Sequence, residues 1–349
     1  MHLSDLWFLA IAVLWAGYFI LEGFDFGVGI LLPFVARTDT ERRVLINTIG
    51  PVWDGNEVWL LTAGGATFAA FPAWYASLFS AFYLPLLLIV VALIIRGVAF
   101  EYRGKRDHPR WRAGWDACIF LGSLLPALLW GVAFANILRG IPLVGIQEAG
   151  VPHYTGNLFT LLNPYGLLGG LTTLSLFIAH GGLFLELKTS GALRARARSV
   201  GSLAGLVAIV AGGGFLAWTE ASYRHGGWSG TGIASVTLAA LAAVALIAAV
   251  LAGRTGRGGR AFAASTLGIG AAVAALFTAL YPDVLPSTIG AALSLTTANA
   301  ASTAKSLMVM TVVAAIFLPL VLAYQAWTYW VFRRRLVTPV ASDPGHPAV

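Results

Sequence analysis

The chain has 349 residues, of which 58% are hydrophobic and 11% charged, and its mean hydropathy is +0.80. A water-soluble domain usually carries about 25% charge, so this composition excludes one and requires an integral membrane protein. The net charge of +7 would suggest nucleic acid in a soluble chain; here the basic residues sort by loop, which points to a membrane and to no nucleic-acid partner.

Apolar runs long enough to cross a bilayer recur from end to end with only short polar gaps, which predicts an all-α, polytopic bundle without a separate soluble domain. The first run, 6–36, lacks a basic leader and a small-residue cleavage motif and reads as a retained helix, not a secretory signal. Further spans are predicted at 52–71, 77–100, 116–139, 158–187, 200–220, 231–252, 261–281 and 306–332, nine helices in all within one transmembrane domain, 1–335. The remainder, 336–349, reads as a disordered tail.

Alternate connections hold Arg37, Arg42 and Arg43; Arg103, Lys105, Arg106, Arg110 and Arg112; Lys188, Arg194, Arg196 and Arg198; Arg254, Arg257 and Arg260; and Arg333 to Arg335. The opposite connections hold only Arg139, Arg224 and Lys305. The positive-inside bias therefore places the N-terminus outside and the C-terminus in the cytoplasm. Span 52–71 is the weak element, because it opens on charge and is rich in glycine. Demoting it to a surface loop would leave eight helices and put Arg37, Arg42 and Arg43 outside, against the charge rule.

Ionisable residues inside the spans are the functional candidates, because each costs at least about 2.5 kcal/mol near hydrocarbon. Glu22 and Asp25 are three apart on one helix face, with Gly29 a turn beyond, and Gly23 and Gly27 have the spacing that lets helices approach closely. In "GPVWDGNEVWLLTAGG", Asp54 and Glu57 are again three apart, between Trp53 and Trp59. With Arg96 of "LIIRGVAFEYR", four carboxylates and one guanidinium are expected to converge in the cytoplasmic half of the membrane. Two readings are open: ion pairing that fixes the packing of the first three helices, or a proton path through Asp54 and Asp25 first, then Glu57 and Glu22, with Arg96 tuning their charge. Trp59 reads as packing or as lining a route for a small apolar molecule.

Of the histidines only His180 lies within a span; His2, His108, His153, His225 and His346 fall in loops or tails. That is too few for a bis-histidine haem or a dinuclear centre, and His180 reads as a packing residue. Cys118, the single cysteine, excludes an internal disulfide and a cysteine-ligated zinc or iron–sulfur site. Met308 and Met310 read as core, and Trp7, Trp111, Trp115, Trp228, Trp327 and Trp330 as the interfacial aromatic belt.

The stretches "EGFDFGVGILLPF", "DTERRVLINTIGPVWDGNEVWLLTAGGATFAAFP", "YTGNLFTLLNPYGLLGG" and "LAYQAWTYWVFRRR" resemble, in that order, subunit II of the cytochrome bd family of terminal quinol oxidases. The resemblance spans about 20–335, and it implies nine helices as two four-helix bundles, 6–139 and 158–332, plus one peripheral helix. It implies a bacterial plasma-membrane protein that binds no haem by itself and pairs with a catalytic subunit I, which carries two b haems and one d haem. Asp25 and Asp54 correspond by motif to the family's cytoplasmic proton path, and Trp59 to a residue lining an oxygen tunnel. A structural quinone is known in several members, and the family leaves room for lipid and for small single-helix accessory subunits. The rival from residues alone is a proton-coupled secondary transporter, since those also bury carboxylates near glycine-broken helices. No matching acidic pair stands in the second half, where Glu186 and Glu220 sit at span ends and are expected to snorkel.

Overall fold

The structure, a computed structural model, describes residues 2–146, 152–223 and 230–337. The expectations for Trp228, Arg224, His225 and His346, and for the tail beyond 337, lie outside these residues. Twelve helices carry the fold: α1 Leu3–Val35, α2 Asp39–Ile49, α3 Trp53–Ala70, α4 Pro72–Ala81, α5 Tyr83–Tyr102, α6 Pro109–Arg139, α7 Leu158–Leu161, α8 Pro164–Lys188, α9 Gly191–Ser222, α10 Gly230–Arg254, α11 Gly258–Leu280 and α12 Ala304–Val331.

Among the described residues, eight helices are long and apolar enough to cross a bilayer unaided: α1, α5, α6 and α8 to α12. The polar first turns of α3 keep it out of that group. Its two ends nevertheless meet the two ends of α12. Near its start, the Asn56 side chain bonds Tyr329 at 2.7 Å. At its end, the Ala70 carbonyl accepts from Ser302 N at 2.8 Å. The helix therefore runs alongside α12 from one end to the other.

The span expected at 77–100 is two helices. Pro72 disfavours helical backbone at Phe71 (φ −136°, ψ 70°), which ends α3 and lets α4 begin. Pro85 has no N–H for the Ala81 carbonyl and its ring crowds that carbonyl, so the chain breaks again at Phe82 before α5. Helices α6 and α9 begin 7 and 9 residues earlier than the spans expected at 116 and 200. Their first turns carry arginines that remain helical outside the apolar layer.

One end of the bundle is basic. Arg42 and Arg103 bond Asp116, Arg103 and Arg112 bond Asp39, and Arg196 bonds Glu41 and the Val35 carbonyl. Residues 332–337 fold back here, with Leu336 N donating to the Lys188 carbonyl at 2.7 Å. At the opposite end, β1 (Leu143–Ile146) pairs antiparallel with β2 (Pro152–Tyr154), and β3 (Asp283–Leu285) with β4 (Leu295–Thr296). Trp7, expected in the aromatic belt, is instead buried and donates its indole N–H to Thr311, stapling α1 to α12. Met308 faces outward at 52% exposure and is not a core residue.

Helix α1 is central and packs on α3, α6, α8 and α11. Its approach to α8 depends on glycine at the crossing: a Cβ on Gly27 would strike the Phe177 carbonyl and lie 2.8 Å from Gly181 Cα. An aromatic core of Trp15, Tyr18, Phe19, Trp130 and Phe134 fills the layer next to this crossing, with Trp130 Nε1 donating to the Tyr18 hydroxyl at 3.2 Å. This core fixes the phase of α1, and that phase determines where its acidic face points.

Candidate functional site: a buried charge cluster

Glu22 and Asp25 project from the same face of α1, and neither has any solvent exposure. Helix α5 brings the Arg96 side chain, also fully buried, into an ion pair with Glu22. Arg96 Nη2 lies 3.5 Å from Glu57 Oε2 of α3, whose side chain is 21% exposed. The guanidinium stacks over Phe26, 4.7 Å from the ring centre, with Phe100 at 5.8 Å. Room for it comes from Gly122 of α6, where a Cβ would approach both Arg96 Cβ and the Ala92 carbonyl to 2.7 Å.

A neutral chain of polar groups continues from Asp25. Asn56 Nδ2 donates to Asp25 Oδ2 at 2.7 Å, and Asn56 Oδ1 accepts from the Tyr329 hydroxyl at 2.7 Å and from Gln325 Nε2 at 3.4 Å. Gln325 Oε1 in turn accepts from Trp59 Nε1 at 2.8 Å. The Trp59 ring packs on Gly17, where any side chain would collide with it. Glu22 Oε2 and Asp25 Oδ1 have no hydrogen-bond partner among the described residues. Each can therefore take a proton without breaking an existing hydrogen bond.

Of the five charged groups expected to converge, the structure gathers Glu22, Asp25, Glu57 and Arg96. Asp54 does not join them: it stands exposed in the first turn of α3, one turn before Glu57, close enough for their charges to interact. Asn56, Gln325 and Tyr329 were not singled out from the sequence as members of the site. Asn56 lies within the opening acidic stretch, but a neutral amide carries none of the cost that marks an ionisable residue in an apolar run. Glu186 does not snorkel; its side chain is fully buried and accepts from Arg194 Nη2 at 3.2 Å.

Glu22 and Glu57 thus face the Arg96 guanidinium, with buried Asp25 held by Asn56 beside them, so the cluster holds more carboxyls than cations. Groups joined by hydrogen bonds, with free acceptor atoms beside them, can take up, hold and release protons. Among the described residues no three His, Cys, Asp or Glu side chains are arranged to hold a metal ion. His180, the histidine inside a span, has both ring nitrogens engaged. Nε2 donates to the Ile20 carbonyl at 3.0 Å, Nδ1 pairs with Ser265 Oγ at 2.8 Å, and the ring stacks on Phe262 at 4.6 Å.

Fold and site together define a polytopic helical membrane protein with an interior acid–base cluster. Residues 3–332 match the family model described as cytochrome bd terminal oxidase subunit II. The chain is 42% identical over 336 residues to the cytochrome bd ubiquinol oxidase subunit 2 of Bacillus subtilis, covering 96% of this chain and 97% of that one. It is 38% identical over 356 residues to the cytochrome bd-I ubiquinol oxidase subunit 2 of Escherichia coli K12, covering 94% and 93%. Among solved structures, the bd oxidase of Geobacillus thermodenitrificans matches in fold with a TM-score of 0.75 at 18% identity, covering 95% of this chain and 99% of that chain. The chain belongs to the cytochrome bd oxidase subunit II family.

Proposed function

We propose that this chain is the non-catalytic second subunit of a cytochrome bd-type quinol oxidase, in which quinol oxidation is coupled to reduction of O2 to water. The chain is a multi-pass protein of the bacterial plasma membrane, and the oxidase complex of its family contains haem. His180, the histidine inside a span, has both ring nitrogens used within the protein, which supports placing haem ligation in another subunit. The b and d haems belong, in this reading, to a catalytic subunit I partner. The contribution of this chain is acid–base transport from the cytoplasm.

The observation that carries the transport role is the buried excess of carboxyls around Arg96, continued by hydrogen bonds to Asn56 and Tyr329. The basic end faces the cytoplasm by the positive-inside bias. Exposed Asp54 takes protons first, half-buried Glu57 is next, and Glu22 and Asp25 hold them in the interior. Arg96 swings the balance, because a carboxyl close to the guanidinium favours its charged form and one displaced from it favours its neutral form. Trp59, at the junction of α1, α3 and α12, lines the route by which oxygen reaches the partner. Two four-helix bundles, 6–139 and 158–332, plus one peripheral helix, a structural quinone, bound lipid and small single-helix accessory subunits belong to the same reading.

Purification by a tag on this chain from its own membranes tests the assignment. A haem-bearing partner should copurify, with b- and d-type absorption bands and quinol-dependent oxygen consumption. A preparation with no haem and no oxidase activity would return the proton-coupled transporter to first place.

A further inference from the structure

At the basic end, the C-terminal turns of α8 and α12 and the α2–α3 junction enclose a cavity of about 350 Å³. Lys188, Arg333 and Arg335 line it, and none of the three forms an ion pair with a described carboxylate. Elsewhere at this end Arg42, Arg103, Arg112, Arg194 and Arg196 have acidic partners, while others such as Arg43 and Arg198 form no ion pair among the described residues; what sets Lys188, Arg333 and Arg335 apart is that all three line one cavity with an apolar wall. Lys188 Nζ donates only to backbone carbonyls, those of Phe332 and Arg334, while the Arg333 guanidinium lies over Trp330 at 4.4 Å. Val52, Phe184, Leu187 and Phe332 give an apolar wall facing the same space, and Thr48 and Tyr329 complete the lining.

Three unpaired cations above an apolar wall match an amphiphile with an anionic head and a hydrocarbon tail. The level agrees, because Trp327 and Trp330, both exposed, mark the interface beside the opening. Basic pockets between transmembrane helices on the cytoplasmic side are suited to acidic lipid headgroups. Access is open from the side of α12, whose only buried residue is Leu307. We infer that the cavity between Lys188, Arg333 and Arg335 is a binding site for an anionic phospholipid, the phosphate bridging the ends of α8 and α12 and an acyl chain lying along Val52, Phe184 and Leu187.

This site has a mechanical consequence. Helix α12 buries little of its own surface, and near its basic end it is held through Tyr329, Gln325 and the carbonyls that Lys188 grips. A phosphate joining Lys188 to Arg333 and Arg335 adds a clamp at that end. Tyr329 also lines the cavity, so the clamp steadies the residue that holds Asn56.

The test uses the whole purified complex, delipidated in neutral detergent and returned to nanodiscs of phosphatidylcholine containing graded phosphatidylglycerol, with retained lipid counted by native mass spectrometry. Wild type should keep phosphatidylglycerol in preference to phosphatidylcholine and melt at a higher temperature with it. Lys188→Gln/Arg333→Gln/Arg335→Gln should weaken retention about 100-fold, at about 1 kcal/mol for each cation near an acidic surface. Arg333→Gln/Arg335→Gln, confined to exposed side chains, should weaken it by a smaller factor and guards against a folding defect at Lys188. Equal retention of the two lipids by wild type, or unchanged phosphatidylglycerol retention in both variants, would overturn the site. Full protection by inorganic phosphate alone, without lipid, would also overturn it and assign the cations to a soluble anion. Lipid retention does not depend on turnover, so the outcome is separate from that of the oxidase reading.

Discussion

Arg96 is fully buried among α1, α3, α5 and α6, and a lone guanidinium there would carry a desolvation cost of several kcal/mol. Glu22 offsets this charge, while Glu57 and Asp25 add acid beyond what pairing needs. Glu22→Gln should therefore lower the stability of the complex, seen as a lower melting temperature and yield, since Arg96 loses its nearest counter-charge, though by less than the about 3 to 5 kcal/mol of a wholly unpaired buried charge because Glu57 remains at 3.5 Å. Glu22→Gln/Arg96→Met should recover most of that loss. If Glu22→Gln melts like wild type, the pair is not what holds this layer together. These charged residues were legible in the sequence because each interrupts an apolar run. Tyr329, Gln325 and Asn56 were not: they are neutral, and Tyr329 stands 273 positions from the amide it bonds, beyond any reading of local periodicity.

Among the elements, the crossing of α1 and α8 is the tightest constraint on the site. Gly27→Ala would push the two helices apart at the Phe177 carbonyl and displace the acidic face of α1. We expect it to destabilise the complex measurably. Gly213→Ala in α9, where a Cβ meets nothing within 4 Å, should be neutral or stabilising by up to about 1 kcal/mol. Equal melting temperatures for the two variants would contradict close packing at Gly27. The glycine spacing was visible in the sequence, but such spacings are common, and which helix it met was not.

Helix α2, by contrast, had no distinct signal, because it lies in the polar gap between two spans. It is clamped by Asp39 and Glu41. Burial alone would raise the Asp39 carboxyl, yet the hydrogen bond and charge of Arg103, with Arg112 and Arg43, hold it below the ordinary carboxylate range. Burial likewise acts to raise Glu41, outweighed by the Arg37 backbone N–H and by Arg196. A depressed carboxyl contributes stability above its unfolded value and loses it as pH falls through its folded value. The protection factors of residues 39–49, which correct exchange for its intrinsic pH dependence, should thus stay high at neutral pH and fall only on acidification below about pH 5. Loosening above pH 6 would contradict the clamp.

On the scale of the molecule, composition established the class, an all-α polytopic membrane protein, because bilayer insertion depends on summed hydropathy, and eight of the expected spans stand as long apolar helices among the described residues. The interruptions at Phe71 and Phe82 were less legible; they follow from Pro72 and Pro85, whose effect depends on whether a chain can turn there. Asp54 shows the same limit. Its spacing from Glu57 was plain, but its outward direction on α3 depends on how that helix is rotated against α1, which only the packed structure supplies. The rotation separates an exposed acid at the basic end from the buried group that Asn56 holds, an order from surface to interior that accords with the transport reading.

The central claim is that the buried acids move protons, and it is tested most directly by quinol-driven oxygen consumption of the purified complex, wild type against Asp25→Asn and Asp54→Asn, with haem spectra on each. The account predicts turnover about 100-fold lower in Asp25→Asn, a loss typical of removing a positioned proton-transfer group, and a smaller fall in Asp54→Asn, with haem bands intact in both. Unchanged turnover in both variants would contradict it and leave the cluster as packing.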